Sequence, residues 1–298
     1  MSTAPIPAPI LAATDFSAPA RHAVDRAALL ARELGTTLEL VHALPRGALD
    51  ELRAWLGANG PGEDALLGQA REQLEALASE FGMRAPIETR LAIGNVLDEL
   101  LRAADEIDAG LLVFGAHGTG FLRRLVLGTT SERLLRRARR PVLIVRRSPW
   151  GPYRRALVPV DFSPWSGPAI AQARRVARGA HLVLLHVVRV PFEDKLQLAG
   201  VDPSAIAAYR RQARAEAGVR LEELARDAGL TPGQWDACLT EGDPALRIAE
   251  LEEERDCDLV VIGKHGRSAA EEFLLGSVTK HVLAEGAGDV LVSTQGTG

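Results

Sequence analysis

The chain has 298 residues, 47% apolar and 25% charged, with a formal net charge of −4. That length suits one large domain or two ordinary ones, and the apolar share suffices for a sizeable core. The balance argues against fibrous, secreted and membrane classes, and without an acidic or basic tail no nucleic-acid partner is expected.

No run reaches the ~18–20 apolar residues of a membrane span. The longest candidate, Leu182 to Val190, is broken by His186 and Arg189, so no membrane partner is expected. Met1 to Pro9 reads as a Pro-rich tail without the basic start and apolar stretch of a secretory signal. Cys238 and Cys257 offer neither a metal-ligand spacing nor a disulfide framework. A reducing, cytoplasmic setting is the expectation.

In chain order, Ile10 to Ala13 is a short apolar strand ending at Asp15. Ala20, Ala23, Val24, Ala27, Leu30, Ala31 and Leu34 then recur at helical spacing, closed by Gly35. Leu38 to Ala43 predicts a second strand, Leu66 to Phe81 a second helix, Ile87 to Ala92 a third strand, and Val96 to Ile107 a third helix. Leu111 to Phe114 and Val142 to Val145 are continuously apolar, as strands are when helices cover both sheet faces. The basic run Arg136, Arg137, Arg139 and Arg140 reads as a solvated helix end, where cations complement the dipole.

The chain then repeats itself. Asp15-Phe16-Ser17 recurs as Asp161-Phe162-Ser163, and Leu40-Val41-His42 as Leu184-Leu185-His186. Leu111 to Gly118 recurs as Leu259 to Gly266, and from Gly94/Gly242 to Val145/Ser293 the copies align without a gap. So long a period means two tandem domains, not a solenoid. The expected bounds are 1–148 and 153–298, joined through the stiff Ser148-Pro149-Trp150-Gly151-Pro152. The acidic excess falls entirely in the second copy. Strands alternating with helices imply right-handed crossovers and parallel sheets. The fold class is α/β, with two tandem doubly wound five-stranded parallel-sheet domains.

Such sheets bind ligands beyond the carboxyl ends of their strands. Asp15, Gly115, Asp161 and Gly263 all stand there. The glycine pattern is Gly115-x2-Gly118-x9-Gly128-Thr129, repeated as Gly263-x2-Gly266-x9-Gly276-Ser277. It matches neither a P-loop nor a dinucleotide fingerprint. Glycines after a strand nevertheless let backbone amides approach an anion, and a Gly-Thr or Gly-Ser step opening a helix offers N–H groups and a hydroxyl. The same glycines also suit plain turns, and Thr129-x-x-Glu132 also fits a helix capping box.

With these motifs the chain resembles a universal stress protein with two tandem domains, over Ile10 to Val145 and Ala156 to Ser293. The resemblance implies an adenine-nucleotide hydrolase-like sheet of order 3-2-1-4-5. It also implies ATP, or another adenine nucleotide, with or without Mg2+, at two sites per chain. By position, Asp15 and Asp161 would contact the adenine and ribose end, flanked by Ala13 and Pro159, with Ala43 and Val187 meeting the base. Phe114, Gly115, His117, Gly118, Gly128, Thr129, Thr130 and Ser131 would wrap ribose and phosphates in the first site. Ile262, Gly263, Lys264, His265, Gly266, Arg267, Gly276, Ser277, Val278 and Thr279 would do so in the second. His117 and His265 would shape the loop or touch the ligand, whereas His42 and His186 read as core histidines.

No catalytic residue or metal ligand is implied, because Asp15-Phe16-Ser17 replaces a glycine-rich pyrophosphate loop and no paired-carboxylate clamp is evident. The expected role is regulatory or stress-protective nucleotide binding, with a slow ATPase or a degenerate interaction module as alternatives. The first loop has Ala116, Thr119, Arg123 and Arg124 where the second has Lys264, Arg267, Glu271 and Glu272. With Lys280 nearby in sequence, the second site is expected to be tighter for triphosphate. The family also implies that Val142 to Val145 and Val290 to Ser293, apolar edges otherwise open, pair as an intramolecular pseudo-dimer, with a homodimer as a further possibility.

Overall fold

The computed structural model describes residues 8–56, 62–116, 129–188, 198–266 and 275–294. It divides the chain into two compact units, Met1–Pro152 and Tyr153–Gly298. The first contains β1 (Ile10–Ala13), α1 (Ala18–Leu34), β2 (Leu38–Pro45), α2 (Arg46–Leu56), α3 (Gly62–Phe81), β3 (Ile87–Gly94), α4 (Val96–Glu106), β4 (Leu111–Gly115), α5 (Thr129–Arg137) and β5 (Val142–Val145). The second contains β6 (Arg155–Pro159), α6 (Ser166–Val176), β7 (His181–Val188), α7 (Pro203–Asp227), β8 (Trp235–Glu241), α8 (Pro244–Glu254), β9 (Leu259–Gly263), α9 (Ser277–Glu285) and β10 (Asp289–Ser293).

Within the first unit the strands pair in the order β3-β2-β1-β4-β5, all parallel. The second unit repeats this as β8-β7-β6-β9-β10. Each unit is thus a doubly wound sheet of the expected order, in which β1 and β6 are central. The register fixes the faces: Ile10 stands opposite both Leu38 and Leu111. Every residue of β5, β9 and β10 is buried, and so are all but the last of β4; β4, β5 and β9 accordingly read as apolar runs, while β10 keeps its apolar run between the buried Asp289 and Ser293.

Local chemistry sets the helix ends. Ser17 caps α1 by accepting from the Ala20 N–H, and Gly35 closes it in the left-handed region at φ +69°. Half of the buried residues of α1 are alanine (Ala20, Ala23, Ala27, Ala28, Ala31), so its backbone can lie close to the sheet. Asn95 and Asp243 cap α4 and α8 alike, each accepting from two backbone N–H groups.

Two elements go beyond the expected ones. α2 occupies part of the span between the second strand and the second predicted helix, starting directly after Pro45. The third strand runs on to Gly94 because β2 also continues, pairing Leu44 with Ile93 and Pro45 with Gly94. No helix among the described residues is long and apolar enough to cross a membrane.

Candidate functional site

Parallel strands bring all their carboxyl ends to one edge, so in each unit the Asp-Phe-Ser turn and the end of the fourth strand are neighbours. The turn has the same construction twice. Phe16 and Phe162 adopt φ +63° and +60°, in the left-handed region that non-glycine residues rarely enter. The aspartates close the bend: Asp15 Oδ1 accepts from the Ser17 N–H at 3.1 Å, and Asp161 Oδ1 from the Ser163 N–H at 3.0 Å.

His42 and His186 support these turns. Their Nδ1 atoms lie 2.7 Å from the Thr14 carbonyl oxygen and 2.8 Å from that of Val160. A carbonyl can only accept, so Nδ1 carries the proton and donates. Each imidazole also packs on the adjacent phenylalanine, with ring centroids 4.4 Å apart for Phe16–His42 and 4.3 Å for Phe162–His186. A left-handed residue costs ~1–2 kcal/mol, which these contacts help to offset. The histidines therefore hold the residue before each aspartate and the residue after it.

In the second unit three elements converge on this corner. Asp161 Oδ1 also accepts from Ser166 Oγ at 3.1 Å, while the Asp161 N–H donates back to that oxygen at 3.2 Å. A Cβ placed on Gly266 would sit 2.8 Å from Asp161 Oδ2, so the glycine loop lies directly against the carboxylate. The loop is tied at its base by Lys264, whose N–H donates to the Ser293 carbonyl and whose carbonyl accepts from Gly276. Thr279 Oγ1 donates to the Gly263 carbonyl at 3.0 Å, fastening the start of α9 to the end of β9. Gly276 opens α9 without a side-chain cap, beside the exposed Ser277 and half-buried Val278.

The four described glycines of the two patterns have different reasons to be glycine. Gly115 has Pro19 backbone atoms 2.8 Å from where its Cβ would be, and Gly263 has Trp165 Cβ at 2.8 Å. Both let the first helix of their unit cross the end of the fourth strand, which is a packing requirement. Gly266 instead makes room for Asp161, while Gly276 has nothing closer than 3.5 Å.

The other expected site residues are placed as follows. Ala13 and Pro159 end β1 and β6, and Ala43 and Val187 stand half-buried late in β2 and β7. Phe114 and Ile262 are buried just before the fourth-strand glycines, and Lys264 and His265 are buried just after the second. The His265 ring lies 4.8 Å from that of Trp165. His117, Gly118, Gly128 and Arg267 lie outside the described residues, as do Thr119, Arg123, Arg124, Glu271 and Glu272. Thr129, Thr130 and Ser131 form the first turn of α5. Ser166 and Trp165 were missed, since nothing in their spacing marks them as partners of Asp161 and Gly263.

The basic run stands at the exposed end of α5, as its composition suggests. Arg137 pairs with Asp98 at 2.7 Å, and Arg140 with Asp108 at 2.8 Å and Asp105 at 3.3 Å, ion pairs whose carboxylates stay largely in water. Among the described residues no cluster of His, Cys, Asp and Glu could hold a metal ion. Burial raises both thiols, Cys238 above its usual range and Cys257 to about 12.

Comparison with known proteins places this architecture. The model of the universal stress protein family matches twice, over residues 8–146 and 152–293. A universal stress protein of Mycobacterium tuberculosis, Rv2005c, is 29% identical over 226 residues, covering 74% of this chain and 70% of its own. One from Mycolicibacterium smegmatis is 30% identical over 212 residues, covering 69% of this chain and 68% of its own. Among solved structures, a universal stress protein from Archaeoglobus fulgidus superposes with TM-score 0.68 at 19% identity, covering 95% of this chain and 97% of that one, a likeness of fold. The two sheets, the duplicated motifs and both family matches lead to one conclusion: this chain belongs to the universal stress protein family.

Proposed function

We propose that each unit binds an adenine nucleotide, ATP foremost, at the carboxyl edge of its sheet, and that occupancy regulates a stress-protective role. The observation that carries this reading is the contact of Asp161 with Gly266. It puts a carboxylate able to accept from ribose hydroxyls against a glycine loop that leads to an uncapped helix start. Amides of the loop and of α9 would face the phosphates, and Mg2+ would accompany a bound triphosphate on its phosphate oxygens. The equivalent first site would use Asp15, Ala43 and the loop from Gly115 to Gly128. No assigned residue is given a catalytic role, and binding rather than turnover is the proposed activity.

The test is mass spectrometry of small molecules released on denaturing full-length protein purified without added ligand, followed by calorimetric titration of the stripped protein. Release of an adenine nucleotide, with rebinding at up to two sites per chain, is the expected result. Neither release nor binding of ATP, ADP or AMP would overturn the proposal.

A further inference from the structure

We infer that Ser166 is a positioning residue of the second site: it fixes the Asp161 carboxylate and so makes that site selective for ligands that keep their ribose hydroxyls. Ser166 is buried and is the first residue of α6. Its Oγ accepts from the Asp161 N–H at 3.2 Å and lies 3.1 Å from Asp161 Oδ1. An ionised carboxylate can only accept, so the hydroxyl hydrogen is directed at Oδ1. The Ser163 N–H donates to the same oxygen at 3.0 Å, which gives Oδ1 a donor from the turn and another from the helix. The second oxygen is set as a result. A Cβ on Gly266 would stand 2.8 Å from Oδ2, so this oxygen faces the glycine loop. Nor can the turn readily follow a moving carboxylate. Phe162 packs on His186 and on the Arg220 guanidinium, whose carbon sits 4.1 Å from the Phe162 ring centroid.

The first unit cannot build this clamp. Gly115 makes room for Pro19 and Gly263 for Trp165, so the residues that follow, Ala20 and Ser166, are equivalent. Alanine has no hydroxyl, and the Ala20 N–H donates instead to Ser17 Oγ, the cap of α1. Asp15 keeps the bond from the Ser17 N–H, but position 20 offers it no side-chain donor. A carboxylate already fixed in place meets a hydroxyl without first giving up rotational freedom, and it loses a partner when that hydroxyl is missing. Discrimination at the ribose is therefore sharper in the second site than in the first.

This inference rests on the nucleotide reading, and the experiment separates the two. Stripped full-length protein is titrated with ATP and with 2′,3′-dideoxyATP, which keeps the base and phosphates but has neither hydroxyl. Wild type should show one site that prefers ATP by a larger ratio than the other does. Ser166→Ala is expected to weaken ATP at that site by about tenfold, the worth of one charge-assisted hydrogen bond, with the dideoxy analogue unchanged. A serine that served the fold alone would affect both ligands alike, so equal weakening overturns the inference, as does undiminished ATP binding. Thermal melts check that Ser166→Ala is folded. Should it not be, Ala20→Ser is the deciding variant, expected to raise the ratio at the other site, and an unchanged ratio then overturns the inference. Wild-type protein that binds both ligands equally at both sites would overturn this inference and leave the nucleotide reading standing. Wild-type protein that binds neither would overturn both.

Discussion

Asp161 and Gly266 meet so closely that a methyl on the glycine would stand 2.8 Å from Asp161 Oδ2. The carboxylate cannot swing aside without cost, because its other oxygen is held by the Ser163 N–H and Ser166 Oγ. Gly266→Ala should therefore lower nucleotide affinity at the second site and destabilise the second unit by about 1–3 kcal/mol. Gly266→Asp, which adds a second carboxylate at the same contact, should abolish binding there and leave the first site intact. Calorimetric site counts beside thermal melts separate these effects, and full occupancy of two sites in Gly266→Asp would contradict the assignment.

Gly115 and Gly263 should behave differently. Their missing side chains accommodate Pro19 backbone and Trp165 Cβ. Gly115→Ala pushes against main chain, which cannot rotate away, and should cost at least the ~1–3 kcal/mol of an overpacked core site. Denaturant unfolding without ligand should already register the loss, whereas a purely ligand-contacting glycine would show none.

An ion-paired group in the first unit has no counterpart in the second. Arg90 on β3 bonds to Glu39 of β2 and Glu106 of α4, and Glu39 keeps only 7% of its side chain exposed. Contact with Arg90 holds the Glu106 carboxyl below its usual range. Arg90→Met leaves Glu39 buried without that partner and should cost about 2 kcal/mol. That is less than the ~3–5 of a fully buried pair, because 30% of the Arg90 side chain remains in water. The equivalent strand positions in the second unit are Val183 and Cys238, so Glu39→Val with Arg90→Met should regain much of the loss in equilibrium unfolding.

Alkaline pH should weaken the second unit through Cys257. Burial pushes its thiol from the ordinary 9.0 up to about 12. Between those values the unfolded thiol has released its proton and the folded one has not. The unfolded state then binds fewer protons, and stability falls as pH rises from 9 towards 12. Ala109 occupies the equivalent place in the first unit, each residue following a left-handed aspartate, Asp108 at φ +50° and Asp256 at φ +49°. Cys257→Ala should therefore fold normally and lose that part of the alkaline slope, as unfolding curves across this pH range would reveal.

Much of this was legible in the sequence because it is local or periodic. The alanine and leucine spacing of α1, the unbroken apolar β4 and β5, and the alternation of elements each follow from backbone periodicity and helix-covered sheets. The Asp-Phe-Ser turn and the glycine spacing were visible because the chain states them twice. His42 and His186 were legible only as core residues, since nothing local says that their Nδ1 atoms brace carbonyls 28 and 26 residues earlier in the chain. Extending β3 to Gly94 depended on its partner β2, which a strand read alone cannot reveal.

By itself the sequence determined the duplication, the α/β class and the parallel sheets, which follow from hydrophobic period and repeated motifs, whereas the strand order was implied by the family resemblance. Tertiary structure alone decided why Gly115, Gly263 and Gly266 are glycines, that Ser166 and Gly266 share Asp161, and that Arg220 stacks on Phe162. Those relationships join residues far apart in the chain through contacts of a few ångströms, and no spacing along a single strand or helix encodes them.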